Sequence, residues 1–153
     1  MQLKIKMKTD TIVDNLRARL CACENEIDEV YHETYSPTVS SITHSFMLQV
    51  AAHDMHIRMV GTKAAYLCQN YPADATPLYI KLPKRVAIAL KIYIYGFPDA
   101  GRAYYDAYCE HLTQHSYVRT VSDLCLFTKV RAPNRQVYVW IYVDDTLIAA
   151  DRL

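Results

Sequence analysis

Two apolar stretches, Val137 to Val143 and Thr146 to Ala150, lie directly on either side of Asp144 and Asp145. In the first, Val137, Val139, Ile141 and Val143 alternate with Tyr138, Trp140 and Tyr142. β-Branched and aromatic residues at period two predict a strand, and a strand without a polar face belongs in a sheet covered on both sides. The second stretch resumes at once. Together they predict a β-hairpin with two carboxylates at its tip.

The rest of the chain supplies elements to cover that hairpin. Leu16 to Ala22 alternates apolar residues with Arg17 and Arg19, which predicts a strand with both arginines on one face. From about Ser41, residues Ile42, Phe46, Met47, Val50 and Ala51 fall at helical spacing, predicting a helix to about His53. Met55 to Val60 reads as a short strand, and Leu78 to Leu82 as an extended piece bounded by Pro72, Pro77 and Pro83. Gly96 and Pro98 mark a turn, and Ala103, Ala107, Tyr108 and Leu112 predict a helix to about His115. The expected class is α+β. With 153 residues, 52% hydrophobic and 22% charged, residues 1–153 fit one globular domain.

Several functions drop out on composition. Three glycines leave no Gly-rich phosphate-binding loop or dinucleotide fingerprint. The five cysteines, Cys21, Cys23, Cys68, Cys109 and Cys125, contain no CxxC pair and match no structural zinc spacing. Reduced thiols in an intracellular, cytoplasmic protein are the simpler reading. MQLKIKMKTD lacks a signal-type apolar core, and the longest apolar run, Val86 to Phe97, is broken by Lys91 and too short for a bilayer. The net charge of +1 hides an uneven placement: Lys4, Lys6, Lys8, Arg17 and Arg19 precede Glu24, Glu26, Asp28, Glu29 and Glu33. These are either solvated surface segments or a basic face for a polyanion.

The aspartate pair has two readings. Asp is a good turn residue, and a turn needs no further purpose. Alternatively, a tight hairpin holds oxygen ligands for hard divalent cations. Two Mg²⁺ ions about 4 Å apart can activate an attacking hydroxyl and stabilise a leaving oxygen in phosphoryl transfer. One hairpin cannot surround two ions, so such a site needs a further carboxylate from elsewhere.

The sequence around the tip narrows the choice. Tyr142-Val143-Asp144-Asp145 between apolar strands resembles the hallmark of reverse transcriptases. Six further blocks resemble those of the Ty1/copia-type retrotransposon enzymes, in family order. Arg17-Ala18-Arg19-Leu20-Cys21-Ala22 resembles K-A-R-L-V-A, and Tyr31-His32-Glu33-Thr34-Tyr35-Ser36-Pro37 resembles Y-x-E-T-F-S-P. Lys63-Ala64-Ala65-Tyr66-Leu67 resembles K-T-A-F-L, and Leu78-Tyr79-Ile80-Lys81-Leu82-Pro83 resembles I-Y-M-x-x-P. The run from Tyr95 to Tyr105 resembles Y-G-L-K-Q-A-P-R-A-W-Y, and Asp123-Leu124-Cys125-Leu126-Phe127 resembles D-P-C-L-Y.

That resemblance implies the fingers and palm of a right-handed polymerase, acting on a nucleic-acid template–primer and deoxynucleotides with Mg²⁺ or Mn²⁺. It implies Asp144 as a direct metal ligand and Asp145 as support for the same site. Tyr66 matches an aromatic steric gate against a ribose 2′-OH; a core tyrosine is the plainer alternative. Arg19 and Arg17 match positions facing the incoming triphosphate, which guanidinium suits in charge and shape; for Arg17 a solvated surface role stands beside that one.

Departures from the family pattern point toward an inactive copy. Gly61 stands where the first catalytic aspartate of D-x-K-T-A-F-L belongs, with Asp54 the nearest preceding acid. Asp99 replaces a glutamine expected near the nucleotide. The stretch after Lys84 leads straight into Ile92-Tyr93-Ile94-Tyr95-Gly96, shorter than the family connection, as after an internal deletion. The resemblance implies that the thumb, the RNase H domain and the remaining Pol polyprotein are absent from this fragment. The expectation is a fragment with little or no activity, with a non-catalytic nucleic-acid-binding remnant as the alternative and no membrane partner.

Overall fold

In the computed structural model, which describes residues 2–9, 12–22, 33–53, 55–81, 87–133 and 135–151, the predicted hairpin lies inside a five-stranded sheet. In chain order the elements are β1 (Gln2–Thr9), β2 (Ile12–Arg19), α1 (Ser41–Ala52), β3 (Met55–Gly61), a 3₁₀ turn (Ala65–Cys68), β4 (Tyr79–Lys81) and β5 (Ala87–Ala89). Then follow α2 (Ala100–Gln114), β6 (Val118–Arg119), β7 (Leu126–Ala132), β8 (Arg135–Tyr142) and β9 (Asp145–Asp151). The large sheet is antiparallel in the order β3-β9-β8-β7-β6, while β1-β2 and β4-β5 form separate pairs. The architecture is α+β.

The core forms where the apolar alternation is densest. Val139, Trp140 and Ile141 on β8 are all buried, so consecutive residues are covered on both sheet faces. Phe127 of β7, Met47 and Ala51 of α1, and Tyr105, Cys109 and Leu112 of α2 join the cluster. Trp140 keeps its polar edge satisfied by donating Nε1–H to His44 Nδ1 of α1 at 3.1 Å. Cover stops before the tip: Tyr142 is 54% exposed.

One carboxylate ties α1 to the strands. Asp123 accepts the Ser40 amide at 3.0 Å and the Cys125 amide at 2.9 Å. Ser40 is also the N-cap of α1, its Oγ accepting the Thr43 amide at 3.1 Å. Burial would raise the Asp123 pKa, but the hydrogen bonds, led by the Ser40 and Cys125 amides, outweigh it and hold the pKa below its ordinary 3.8.

A second, smaller core gathers Tyr93, Ile94, Phe97 and Ala100, with Tyr66, Tyr71, Leu78 and Leu90 against it. Tyr71 meets Tyr93 edge-on at 5.4 Å, and Tyr93 meets Phe97 at 6.0 Å and 89°. Three of the chain's thirteen tyrosines, Tyr66, Tyr71 and Tyr93, are therefore packing material here.

Several expectations shift. The strand expected over Leu16 to Ala22 is β2, beginning at Ile12 and ending at Arg19, because its length is set by pairing with β1. On α1 the apolar residues do not share one face: Met47 and Ala51 are buried, whereas Ile42 is 81% and Phe46 60% exposed. At about 100° per residue, positions 42 and 46 lie on a different side from 47 and 51. The direct passage into Ile92 is also corrected. Ala87–Ala89 turns back as β5, pairing Ile88 with Ile80, and the Leu90 amide donates to Leu78 O at 2.8 Å. Leu82, Pro83 and Lys84 lie outside the described residues, as do Asp54, Tyr31 and His32.

Candidate functional site

The hairpin places its acids through an unusual turn. Tyr142 and Asp145 form the last pair of β8 and β9, leaving Val143 and Asp144 as the connection. Val143 has φ 55°, a left-handed conformation that suits glycine and is costly for a β-branched side chain, by about 1–3 kcal/mol. Asp144 at the tip is exposed and Asp145 is half-buried.

The edge strand β3 locks against this tip. Its last residue, Gly61, pairs with Asp145, and the Thr62 amide donates to Asp144 O at 2.8 Å. A Cβ added at Gly61 would stand 3.1 Å from Asp145 Oδ1. The position at which the family resemblance calls for a carboxylate therefore abuts the tip acids, and it carries no side chain. Thr62 is held in turn by α2: Tyr104 donates its hydroxyl to Thr62 Oγ1 at 2.7 Å. The Tyr104 pKa is raised, chiefly by burial.

Tyr66 sits in the 3₁₀ turn that follows Ala64, which itself has φ 56°. Its ring meets Tyr95 edge-on at 5.7 Å and Tyr104 at 6.4 Å. Burial raises its hydroxyl pKa first, and the Asp144 charge adds to the rise. Gly101 lies beside it: a Cβ there would be in ordinary contact, 4.0 Å from the Tyr66 hydroxyl. Tyr66 is thus both a packed aromatic and a neighbour of the tip.

Arg17 and Arg19 are on β2, where the register sets Lys4 opposite Arg17 and Gln2 opposite Arg19. Period two puts these four positions, with Lys6, on one face of the β1-β2 pair. Beyond β2 the chain is joined to the aromatic region: the Ala22 amide donates to Tyr95 O at 2.7 Å, and Cys21 bridges Tyr95. Gly96 (φ 89°) permits that approach, because a Cβ there would meet Ala22 O at 2.4 Å. The structure thus brings Gly61, Asp144, Asp145 and Tyr66 together; it does not describe the side chains of Arg17 and Arg19.

Thr62 and Tyr104 are site-building residues that sequence reading passed over. Tyr104 lay within a recognised block, but its bond to Thr62 spans α2 and the end of β3, which no local pattern reveals. Asp99 is corrected in the other direction. It is buried and accepts the Tyr93 hydroxyl at 3.0 Å, so its charge is engaged inside the second core rather than presented to a nucleotide.

The donor set does not fit a pair of Mg²⁺ ions. Asp144 and Asp145 come from one hairpin, Gly61 offers nothing, and among the described residues no three His, Cys, Asp or Glu side chains cluster to hold a metal. Among the described residues, no helix is long and apolar enough to cross a membrane.

No family model and no solved structure matches the chain. Over 95% of its length it is similar to the retrovirus-related Pol polyprotein from transposon TNT 1-94 of Nicotiana tabacum, with 26% identity across 156 residues. It is 29% identical across 154 residues to that of transposon RE1 and 28% to that of RE2, both of Arabidopsis thaliana. The chain is a relative of transposon Pol polyproteins. It spans 10–12% of the length of these Pol relatives.

Proposed function

We propose that the chain is the fingers and palm portion of a copia-type reverse transcriptase, and that this copy does not polymerise DNA. In this reading the five-stranded sheet with α1 and α2 is the palm, and the β1-β2 and β4-β5 pairs belong to the fingers. Template–primer and deoxynucleotides are the ligands the site descends from. Tyr66 is the gate beside the nucleotide, and Arg17 and Arg19 supply the guanidinium groups that face its phosphates.

The observation that carries the loss of activity is the Gly61–Asp145 pairing. Nucleotidyl transfer through two cations needs carboxylates from both sides of the site, and β3 brings none. Losing one preorganised electrostatic group costs on the order of 10²–10³ in rate, and a ligand shared by both ions should cost at least that. Primer extension with Mg²⁺ or Mn²⁺ tests the reading. The chain gives no incorporation above background, and Gly61→Asp within a full-length polymerase raises incorporation by at least about 10². Incorporation by the unaltered chain overturns the proposal.

The register of β1-β2 favours a second reading, a nucleic-acid-binding remnant without chemistry. Lys4 stands opposite Arg17 in the strand register, and basic residues gathered on one strand pair suit a phosphate backbone. It requires salt-sensitive binding to an RNA–DNA hybrid, and absence of binding at low salt removes it.

A further inference from the structure

Away from the aspartates, the last turn of α2 carries His111, and His115 caps it. They are spaced i,i+4, both are exposed, and their ring centroids are 4.3 Å apart with planes inclined at 40°. His115 Nδ1 lies 2.9 Å from His111 O. A carbonyl oxygen only accepts, so Nδ1 carries the proton of that bond, and the neutral ring keeps its lone pair on Nε2. Metal-bound histidines use this arrangement: one ring nitrogen donates to a backbone carbonyl while the other ligates. The end of a helix also carries partial negative charge, which favours a cation.

From this geometry we propose that His111 and His115 form a two-ligand site for a late first-row divalent metal ion, of the Ni²⁺, Cu²⁺ or Zn²⁺ class. Imidazole nitrogen suits these ions, whereas Mg²⁺ prefers oxygen. Among the described residues no third His, Cys, Asp or Glu joins the pair, so the remaining coordination positions belong to water or to a ligand from another molecule. Lys129 donates its ammonium to His115 O at 2.7 Å and places a competing positive charge at the same helix end. That charge keeps the site weak and makes Lys129 a way to tune it.

The site is independent of the polymerase reading, and its test runs on the intact chain with the metal salts alone. Titration with Ni²⁺, and with Cu²⁺ followed by electron paramagnetic resonance, is expected to give one site with nitrogen ligation. His111→Ala and His115→Ala each weaken it by at least about tenfold. Both positions are exposed, so the fold survives either change. His56→Ala, on exposed β3, and Asp144→Asn leave it unaltered, and Lys129→Gln tightens it. Equal affinity in the parent and both α2 histidine variants overturns the site.

Discussion

Asp123 and the Asp144-Asp145 pair lie beyond the same end of the β7-β8 pairing, which closes at Leu126 and Trp140, and use their carboxylates in opposite ways. Between them the Ile141 amide donates to Cys125 O at 2.9 Å, so the Asp123 loop is joined directly to β8. Asp123 is buried, and its oxygens take the amides of Ser40 and Cys125. The tip acids have backbone ties, through Thr62 and the strand register, but among the described residues no donor or cation sits on either carboxylate. Asp123 spends its charge on the fold. Asp144 and Asp145 leave theirs open, and in the proposed reading Gly61 of β3 stands where a third carboxylate would face them.

The largest effect should come from breaking the closed aspartate. Asp123→Ala leaves the Ser40 and Cys125 amides without an acceptor and is expected to cost about 3 kcal/mol, a fall of about 6–12 °C in Tm. Asp123→Asn sharpens the test, since one arm of the amide is a donor and cannot replace the lost oxygen. It should cost nearly as much. The pH dependence follows from the sign of the shift. Because the folded pKa lies below 3.8, the carboxylate contributes in full above that value, and the contribution disappears as pH falls through the lower folded value. Denaturation of parent and Asp123→Asn chains should therefore converge below pH 3.8. A gap that persists into stronger acid breaks the comparison.

An intermediate effect is expected on giving the open pair a facing acid. Gly61→Asp puts a third carboxylate beside Asp145, where the new Cβ starts 3.1 Å from Oδ1. Without metal, like charges should lower stability by about 1–2 kcal/mol. Millimolar Mg²⁺ should recover that loss by binding only the folded form, while the parent melts at the same temperature with and without Mg²⁺. Thermal melts in chelator and in Mg²⁺ decide it. An equal Mg²⁺ shift in the parent would mean that two carboxylates suffice.

The contrast also explains what the sequence could disclose. The β8-β9 hairpin was legible because period-two alternation is local, and α2 because Ala103, Ala107 and Leu112 repeat at helical spacing. Asp144, Asp145, Gly61 and Tyr66 were legible as candidates through family blocks, and the structure gathers them. The role of Asp123 was not legible: its partner Ser40 is 83 residues away in sequence, and aspartate before an apolar run reads as an ordinary turn. β5 escaped because Ala87–Ala89 has no alternation and is defined only by pairing with β4. The exposure of Ile42 and Phe46 escaped because helical spacing gives a stripe's direction but not the width its neighbours cover. Long-range pairing and cover were the missing information, at the core and at the site alike.

The smallest effect is the most discriminating. Asp145→Asn is the same chemical change as Asp123→Asn, one oxygen for one NH₂, on a strand residue rather than a loop residue. With no donor seated on its carboxylate, it should change stability by no more than about 0.5 kcal/mol. In the Gly61→Asp chain the same substitution removes one of two facing charges and should recover part of the metal-free loss, while abolishing the Mg²⁺ response. Urea melts of the four chains in chelator measure that coupling directly. A large cost for Asp145→Asn in the parent would mean the tip acid holds a structural partner, and the division between a closed and an open aspartate would fail.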